Sequence, residues 1–474
     1  MFEDHDDAGL VDAMGVASRA ESVSVARRLL LVGELYARRA REWAERALWC
    51  TDPFEAVAAE ISAAQNISRA RAGGQIRFGR ILREELPAVA ALFATGAIDF
   101  RLVSVIIART ENVDQSVKAG LDAALAAHAI KWMKLSGPKL RDRLDLWVAK
   151  FDPAGVRVPP SIDENRYVEI DSTSVGMAGI WANVHALDAA ALDQRLTALA
   201  ATVCDNDPRT NRQRRADAIG ALATGAQALG CGCGSPDCPA ANGCPPAGGV
   251  VIHVLAEQAT VAGTGPTPGY LPGFGMLPAE AVRNSTKYAK RVPLTVPTQA
   301  EPGYRPSAAL TRFVRWRDLT CRFPGCDAPP EACDVDHTVP HPRGATHASN
   351  NKLYCRTRHL LKTFYIGLGG WAERQFDNGT VVLTAPTRHT YTTYPHGGAL
   401  FPALGQSTGQ LPTPPHDAAP HPGRSLAMPT RKRTRDQDRQ ARIVAERRER
   451  TELIADQNRQ RRAWHVANYE PPTF

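Results

Sequence analysis

From Ser22 to about Lys150, apolar residues return at steps of three and four. Val25, Leu29, Val32, Tyr36, Ala40, Trp43 and Ala47 share one face at helical spacing. Glu42 and Arg46 are spaced to pair on the outer face. Further apolar helical runs follow around Ile81–Ala94, Arg101–Ile107, Leu121–Trp132 and Leu140–Val148, with short polar breaks between them. A seam this long commits the first third of the chain to a helical bundle. Its residues are packing residues, and no catalytic constellation falls among them.

The chain has 474 residues, too many for one ordinary core, so two or more domains are expected. Phe151–Arg166 is a loop by its prolines and glycine. "YVEID" alternates as a short strand would. Helices are expected over Leu187–Val203 and Gln213–Leu229, and "GVVIHVLAEQATV" is apolar enough for a buried strand. A linker near "VPTQAEPGYRPSAA" leads into a second, smaller domain. Pro306 suits the first turn of its opening helix, with Leu310, Phe313 and Val314 on an apolar face and Arg312, Arg315 and Arg317 on a basic one.

No run of about 18 apolar residues is present, so no membrane-spanning helix is expected. The acidic start, "MFEDHDDAGLVDAMG", differs from a secretory signal, and a cytoplasmic location is the expectation. The net charge of +8 is concentrated at one end: Arg431–Arg462 holds 12 Lys/Arg and 6 Asp/Glu, leaving about +2 elsewhere. Such a tail can bind nucleic acid through phosphate charge, or can simply be solvated. Its apolar residues, Ile443, Val444, Leu453 and Ile454, are too sparse for a helix standing alone.

The ten cysteines form two clusters, with Cys50 and Cys204 apart. In a cytosolic chain such clustering favours metal over disulfides. "CRFPGC" sets Cys321 and Cys326 on a tight turn, Cys355 is the natural third ligand, and Cys333 is the nearest fourth. Four such ligands suit a structural zinc. In "CGCGSPDCPAANGC", Cys231, Cys233, Cys238 and Cys244 can hold a second zinc, although one residue between the first pair is poor knuckle spacing. The other reading there is a flexible loop with free thiols.

Between Cys333 and Lys362 the chain concentrates Asp, His, Asn and Cys. "VDH" reads as the end of a short strand. A carboxylate suits a hard divalent cation, and a neutral histidine can take a proton from water near pH 7. His359 follows in the helical segment "YCRTRHLLKTF". With helix and strand packed together, Asp336 and His359 can hold one metal while His337 faces the substrate. Asn350 can tie the intervening loop to the strand or orient His337, and Lys362 can meet a phosphate as a point charge. This set suits phosphodiester cleavage, the metal being Mg²⁺ or Mn²⁺.

Cys321–Cys326, "CDVDHTVP", "GATHASNN" and "YCRTRHLLKTF" together resemble the HNH endonuclease motif, in the form seen in the mycobacterial 13E12 repeat proteins. "LREELPAVAALFATGAIDFRLVSVI", "CGCGSPDCPA" and "NYEPPTF" extend that resemblance along nearly the whole chain. It implies a helical domain of unknown function before a ββα-metal domain. It also implies that His337 is the general base, Asp336 and His359 the metal ligands, and Asn350 the central asparagine. Asn351 beside it leaves the register open by one. Cys321, Cys326 and Cys355 match structural zinc positions. Relatives usually carry His or Cys where this chain has Arg358, which cannot ligate zinc.

The expected organisation is a flexible start over 1–20 and a mainly α domain with a few short strands over 21–300, carrying the cysteine-rich loop 231–244. A small α+β HNH domain over 305–395 follows, and then a disordered Pro-rich and basic tail over 396–474. The expected function is metal-dependent hydrolysis of DNA, with Mg²⁺ or Mn²⁺ for catalysis, Zn²⁺ for structure, and no membrane partner. The alternative is a nucleic-acid-binding or protein-interaction module that keeps the fold without cutting.

Overall fold

The computed structural model describes residues 6–157, 165–240, 252–286, 289–365, 369–409, 411 and 424–469. The chain forms two compact units: Met1–Pro159 with Pro293–Phe474, and Pro160–Val292. The stretch 21–300, read from sequence as one helical domain, therefore contributes to both. No helix among the described residues is long and apolar enough to cross a membrane.

Seven helices open the first unit: α1 (Asp7–Glu42), α2 (Pro53–Gln65), α3 (Arg69–Glu84), α4 (Pro87–Ala94), α5 (Phe100–Thr110), α6 (Gln115–Trp132) and α7 (Gly137–Phe151). Asp52, Ser68, Asp99 and Asp114 cap their helices by accepting backbone N–H groups, and Pro53, Pro87 and Pro138 sit in first turns where no N–H is missed. The expected bundle is present, and Leu29, Leu86, Phe93, Leu102, Ile106, Leu125 and Leu144 are buried at its centre. Helices α1 and α3 touch through Gly33 and Gly79. A Cβ on Gly33 would lie 2.5 Å from the Gly79 carbonyl oxygen, so neither position has room for a side chain. Helix α1 ends at Glu42, so the expected Glu42–Arg46 pair does not form. Glu42 pairs instead with Arg39 at 2.9 Å.

The second unit holds the hairpin β1 (Tyr167–Ser174) and β2 (Met177–Asn183), then α8 (Ala186–Ala200) and α9 (Asn211–Ala223). Leu196, Leu199 and Ala218 pack between the two helices. After them come α10 (Gln258–Ala262), β3 (Gly269–Leu271), β4 (Gly275–Leu277) and α11 (Ala279–Thr286). Among the described residues, no strand is found in the segment "GVVIHVLAEQATV", where a buried one is expected. Residues 249–251 lie outside the described residues, Leu255 makes a single bridge to Tyr270, and the chain turns helical at Gln258.

The first unit resumes with α12 (Ala308–Asp318), capped by Ser307 rather than started by Pro306. Leu310, Phe313 and Val314 are buried as expected. Arg317, expected on a basic face, is also buried. Then come the antiparallel strands β5 (Cys333–His337) and β6 (Asn351–Cys355), helix α13 (Arg356–Phe364), the meander β7 (Ala372–Gln375), β8 (Val381–Thr384) and β9 (Thr390–Thr393), and α14 (His396–Leu400). Phe401 and Leu404 are buried too, so packing continues past Pro395. Gly325, at φ +71°, brings the "CRFPGC" turn against α2. A Cβ there would lie 2.4 Å from the Ser62 carbonyl oxygen.

Of the tail expected to be of low order over 396–474, residues 410, 412–423 and 470–474 lie outside the described residues, and the basic stretch that begins at Arg431 is helical from Arg435. Helix α15 (Arg435–Ala467) runs for 33 residues, with Thr434 and Gln437 forming a capping box. Its arginines meet buried carboxylates of the bundle. Arg435 reaches Asp52 at 2.8 Å and also Glu55. Arg439 reaches Glu85 at 2.9 Å, Arg442 reaches Glu111 at 3.1 Å, and Arg447 pairs with Asp152. The tail's charge therefore largely balances the bundle's own acids. Burial would raise Glu55 and Glu85. Hydrogen bonds and charge from Arg69 and Lys118 respectively, joined by the tail's Arg435 and Arg439, hold both below the ordinary glutamate range instead.

Those depressed values fix the sign of the pH response. The pairs stabilise the fold fully above the unfolded glutamate pKa of about 4.3, and that contribution is lost as pH falls through the lower folded values. Arg435→Ala should cost about 1–3 kcal/mol at pH 7. Its difference from wild type should shrink in acid, and urea unfolding at pH 7 and pH 3.5 measures both. Equal stability at pH 7 would mean that the tail contacts contribute nothing.

Candidate functional site

Strands β5 and β6 pair with Asp336 opposite Lys352, His337 opposite Asn351 and Cys333 opposite Cys355. Alternation along β5 sets Asp334 and Asp336 on one face. Helix α13 starts directly after Cys355 and packs back on both strands. Its positions 359 and 362, one turn apart, then lie over that face. His359 Nδ1 is 2.8 Å from Asp334 Oδ2, and its Nε2 is 3.2 Å from Asp336 Oδ1. The structure thus brings together the two residues expected to hold a metal.

Asp336 Oδ2 takes a different set of partners. Lys362 Nζ lies 2.9 Å away and Lys352 Nζ 3.3 Å away, and both lysines also reach Glu373 Oε1, at 3.1 and 3.0 Å. Two ammoniums and two carboxylates form a largely buried quartet. Burial would raise Asp336, but the charge of Lys352, the His359 hydrogen bond and the charge of Lys362 hold it far below its usual value. His359 is pushed up: its burial is outweighed by Asp336 and Asp334. Lys362, expected to meet a phosphate, spends its ammonium on Asp336, Glu373 and the His337 carbonyl oxygen.

His337 ends β5 and is buried. Its Nε2 is 2.8 Å from Thr346 Oγ1, and that hydroxyl donates to the Gly303 carbonyl at 2.6 Å. The threonine proton being committed, Nε2–H is the donor and Nδ1 keeps the lone pair. Tyr304 stacks on the ring at 5.4 Å between centroids. Burial lowers the His337 pKa to about 4, so the imidazole is neutral at pH 7.

Asn350 closes the loop between the strands. Its Oδ1 accepts from Val339 N at 2.8 Å, and its Nδ2 donates to the carbonyls of Val339 and Ala345 at 3.0 and 2.8 Å. Asn351 sits one step along in β6, and its Oδ1 accepts from His347 N. Both asparagines tie the loop, Asn350 through three bonds and Asn351 through one. Arg317, from α12, donates to the carbonyls of Ala348 and Asn351 at 2.6 and 2.7 Å and so fixes the same loop from beneath.

Cys321, Cys326 and Cys355 bring their sulfurs within 4.8 Å of one another, a group that can hold a metal ion. Hydrogen bonds from the Cys321 and Cys355 thiols favour Cys326 as the thiolate, helped by Ala328 N–H and the Arg358 charge. Cys333 stands beside this trio, its thiol directed at the Ala328 carbonyl at 3.7 Å. Arg358 is fully buried. Its guanidinium lies over the Phe323 ring at 4.8 Å and donates to Glu55 O and Ser62 Oγ on α2.

A family model described as "Domain of unknown function (DUF222)" matches residues 16–318. The chain belongs to the DUF222 family. It is 44% identical to "Uncharacterized protein Rv3776" of Mycobacterium tuberculosis, over 94% of this chain and 91% of that protein. It is 42% identical to "Uncharacterized protein Rv2100" of the same species, over 96% and 90%. No solved structure matches the chain. The DUF222 match ends within α12, ahead of β5, so the Asp336–His359 site follows the matched residues.

Sequence reasoning missed Asp334, Lys352, Glu373, Tyr304, Thr346 and Arg317. Asp334 was findable, since it shares a strand face with Asp336 at a spacing of two. Glu373 carries no such signal, because the β7 meander brings it to the site from beyond α13.

Asn350→Ala removes three hydrogen bonds and leaves their backbone partners unmet. A loss of about 2–3 kcal/mol is expected in urea unfolding, with part regained in Asn350→Asp, which keeps the acceptor. An unchanged midpoint would show that the loop holds without it.

Proposed function

We propose that the chain is a metal-dependent HNH-type endonuclease that hydrolyses DNA phosphodiester bonds. One observation carries this reading: the Asp336 Oδ1 and His359 Nε2 edges lie 3.2 Å apart on a ββα unit whose first strand ends in a neutral His337. The donor set, one carboxylate oxygen and one imidazole nitrogen, fits a hard divalent ion. Asp334, hydrogen-bonded to His359 Nδ1, would orient that imidazole as a carboxylate beyond the ligand does. Mg²⁺ or Mn²⁺, when bound there, would neutralise phosphate charge and stabilise the leaving oxygen.

The remaining roles fall to the chain's own groups. His337 Nδ1, with Nε2–H anchored on Thr346, is the base that takes a proton from water. Asn350 keeps the loop after His337 closed over the strand ends. Lys352 and Lys362 balance Asp336 and Glu373 and so hold the Asp336 carboxylate in place. The Cys321–Cys326–Cys355 trio would hold a structural zinc, with Arg358 offering charge to the thiolates rather than a ligand.

The same quartet favours a second reading. Asp336 Oδ2 is already satisfied by two lysines, as in a site stable without a catalytic metal, and the fold would then bind nucleic acid without cutting it. Plasmid cleavage separates the two. Purified protein with Mg²⁺ or Mn²⁺ should nick supercoiled DNA, and His337→Ala should lower the rate by about 10²- to 10⁴-fold. Wild type and variant equally inert, yet both shifting DNA on a gel, would support the binding module and overturn the nuclease.

A further inference from the structure

We infer that the second unit carries its own four-thiolate zinc site, formed by Cys204, Cys231, Cys233 and Cys238. The four sulfurs lie within 4.8 Å of one another, although Cys204 stands 27 residues before Cys231. Cys204 Sγ and Cys231 Sγ are 3.5 Å apart. Zinc–sulfur bonds of about 2.3 Å in a tetrahedron place sulfurs about 3.8 Å from each other, whereas a disulfide needs about 2.05 Å. The separation thus fits ligands around one ion, and all four residues are free cysteines.

The backbone around them is built to hold thiolates. The N–H groups of Asn206, Ser235 and Ala240 are aimed at the sulfurs of Cys204, Cys233 and Cys238, in each case from two residues further on. Gly234, at φ +72°, makes the turn between Cys233 and Ser235. Cys231 N donates to Ala240 O at 2.8 Å and closes the loop. A separate frame joins the two arms. Asp207, three residues after Cys204, accepts from Gly232 N at 2.7 Å. Arg209 bonds Asp207, the Gly230 carbonyl at 2.6 Å and Asp217 on α9 at 2.7 Å. The arm after α8 and the arm after α9 are therefore held facing each other by groups that are not ligands.

The unit also has need of a staple. Among the described residues, the cluster between α8 and α9 has Leu196, Leu199 and Ala218 as its buried members, and both faces of the β1–β2 hairpin are largely exposed. A thin apolar core gains from a metal cross-link. Four cysteine sulfurs gathered within 4.8 Å of one another select zinc over harder ions. This inference changes the ligand set expected from spacing: Cys204 replaces Cys244, which lies outside the described residues. It does not depend on the nuclease reading.

The test is zinc per full-length chain, measured by elemental mass spectrometry on wild type, Cys204→Ser, Cys238→Ser, Cys244→Ser and Cys326→Ser. Cys204→Ser and Cys238→Ser should each lose one zinc relative to wild type, and Cys244→Ser should lose none. Cys204→Ser retaining the wild-type content would overturn the site, as would a zinc loss in Cys244→Ser with none in Cys204→Ser. Should Cys204→Ser and Cys238→Ser fail to fold, Co²⁺ titration of metal-free Cys326→Ser decides. One equivalent with the visible absorption of tetrahedral thiolate cobalt supports the inference, and no such absorption overturns it.

Discussion

Glu55, buried in the first turn of α2, is where three distant parts of the first unit meet. Its carboxylate takes Arg69 from α3 and Arg435 from α15, while its backbone carbonyl accepts from Arg358 of α13. A lone buried carboxylate would be costly, and each arginine alone would leave part of that cost unmet. Together they make the placement of the tail helix and of the ββα unit mutually dependent. Asp52, one turn earlier, repeats the arrangement with Arg431 and Arg435. The first unit is therefore tied across more than 300 residues of sequence by charge as well as by apolar burial.

The same economy recurs around Asp336. The ββα segment is too small to bury much apolar surface, yet it places Lys352 and Lys362 against Asp336 and Glu373 out of water. Such a quartet is stable only because every charge has an opposite neighbour within about 3.3 Å. It also leaves Asp336 with one oxygen paired to lysine and the other turned to His359. That division of the two oxygens is what makes a metal and a lysine-balanced carboxylate compatible at one residue in the proposed nuclease.

Much of this was legible in the sequence, and the limits have physical causes. The helical seam and the Asp336, His337, Asn350 and His359 set were readable because periodicity and local spacing carry them. The tail was not. Twelve basic residues with sparse apolar ones look solvated, and nothing local reveals that their partners are acids of α2, of the cap that ends α3 and of the α5–α6 connection. Arg317 looked like a surface charge for the same reason, although it is among the most buried side chains. Cys204 looked isolated because only the pairing of α8 with α9 returns it to the cysteine loop.

Arg358 shows how one position can serve a need other than the expected one. A histidine or cysteine there would add a ligand to Cys321, Cys326 and Cys355. The guanidinium instead crosses Phe323 and donates to Glu55 O and Ser62 Oγ, so the side chain is used to bolt α13 onto α2. Gly325 brings the cysteine turn against the same stretch of α2, where no Cβ would fit, and Trp43 packs edge-on to Tyr365 at the other end of α13 at 4.5 Å. Three contacts from separate residues thus fix the cysteine turn and the helix bearing His359 on the bundle. A fourth ligand would strengthen the cysteine centre alone. An arginine trades that local gain for a rigid seat on the bundle, and it is the seat that holds His359 over Asp334 and Asp336.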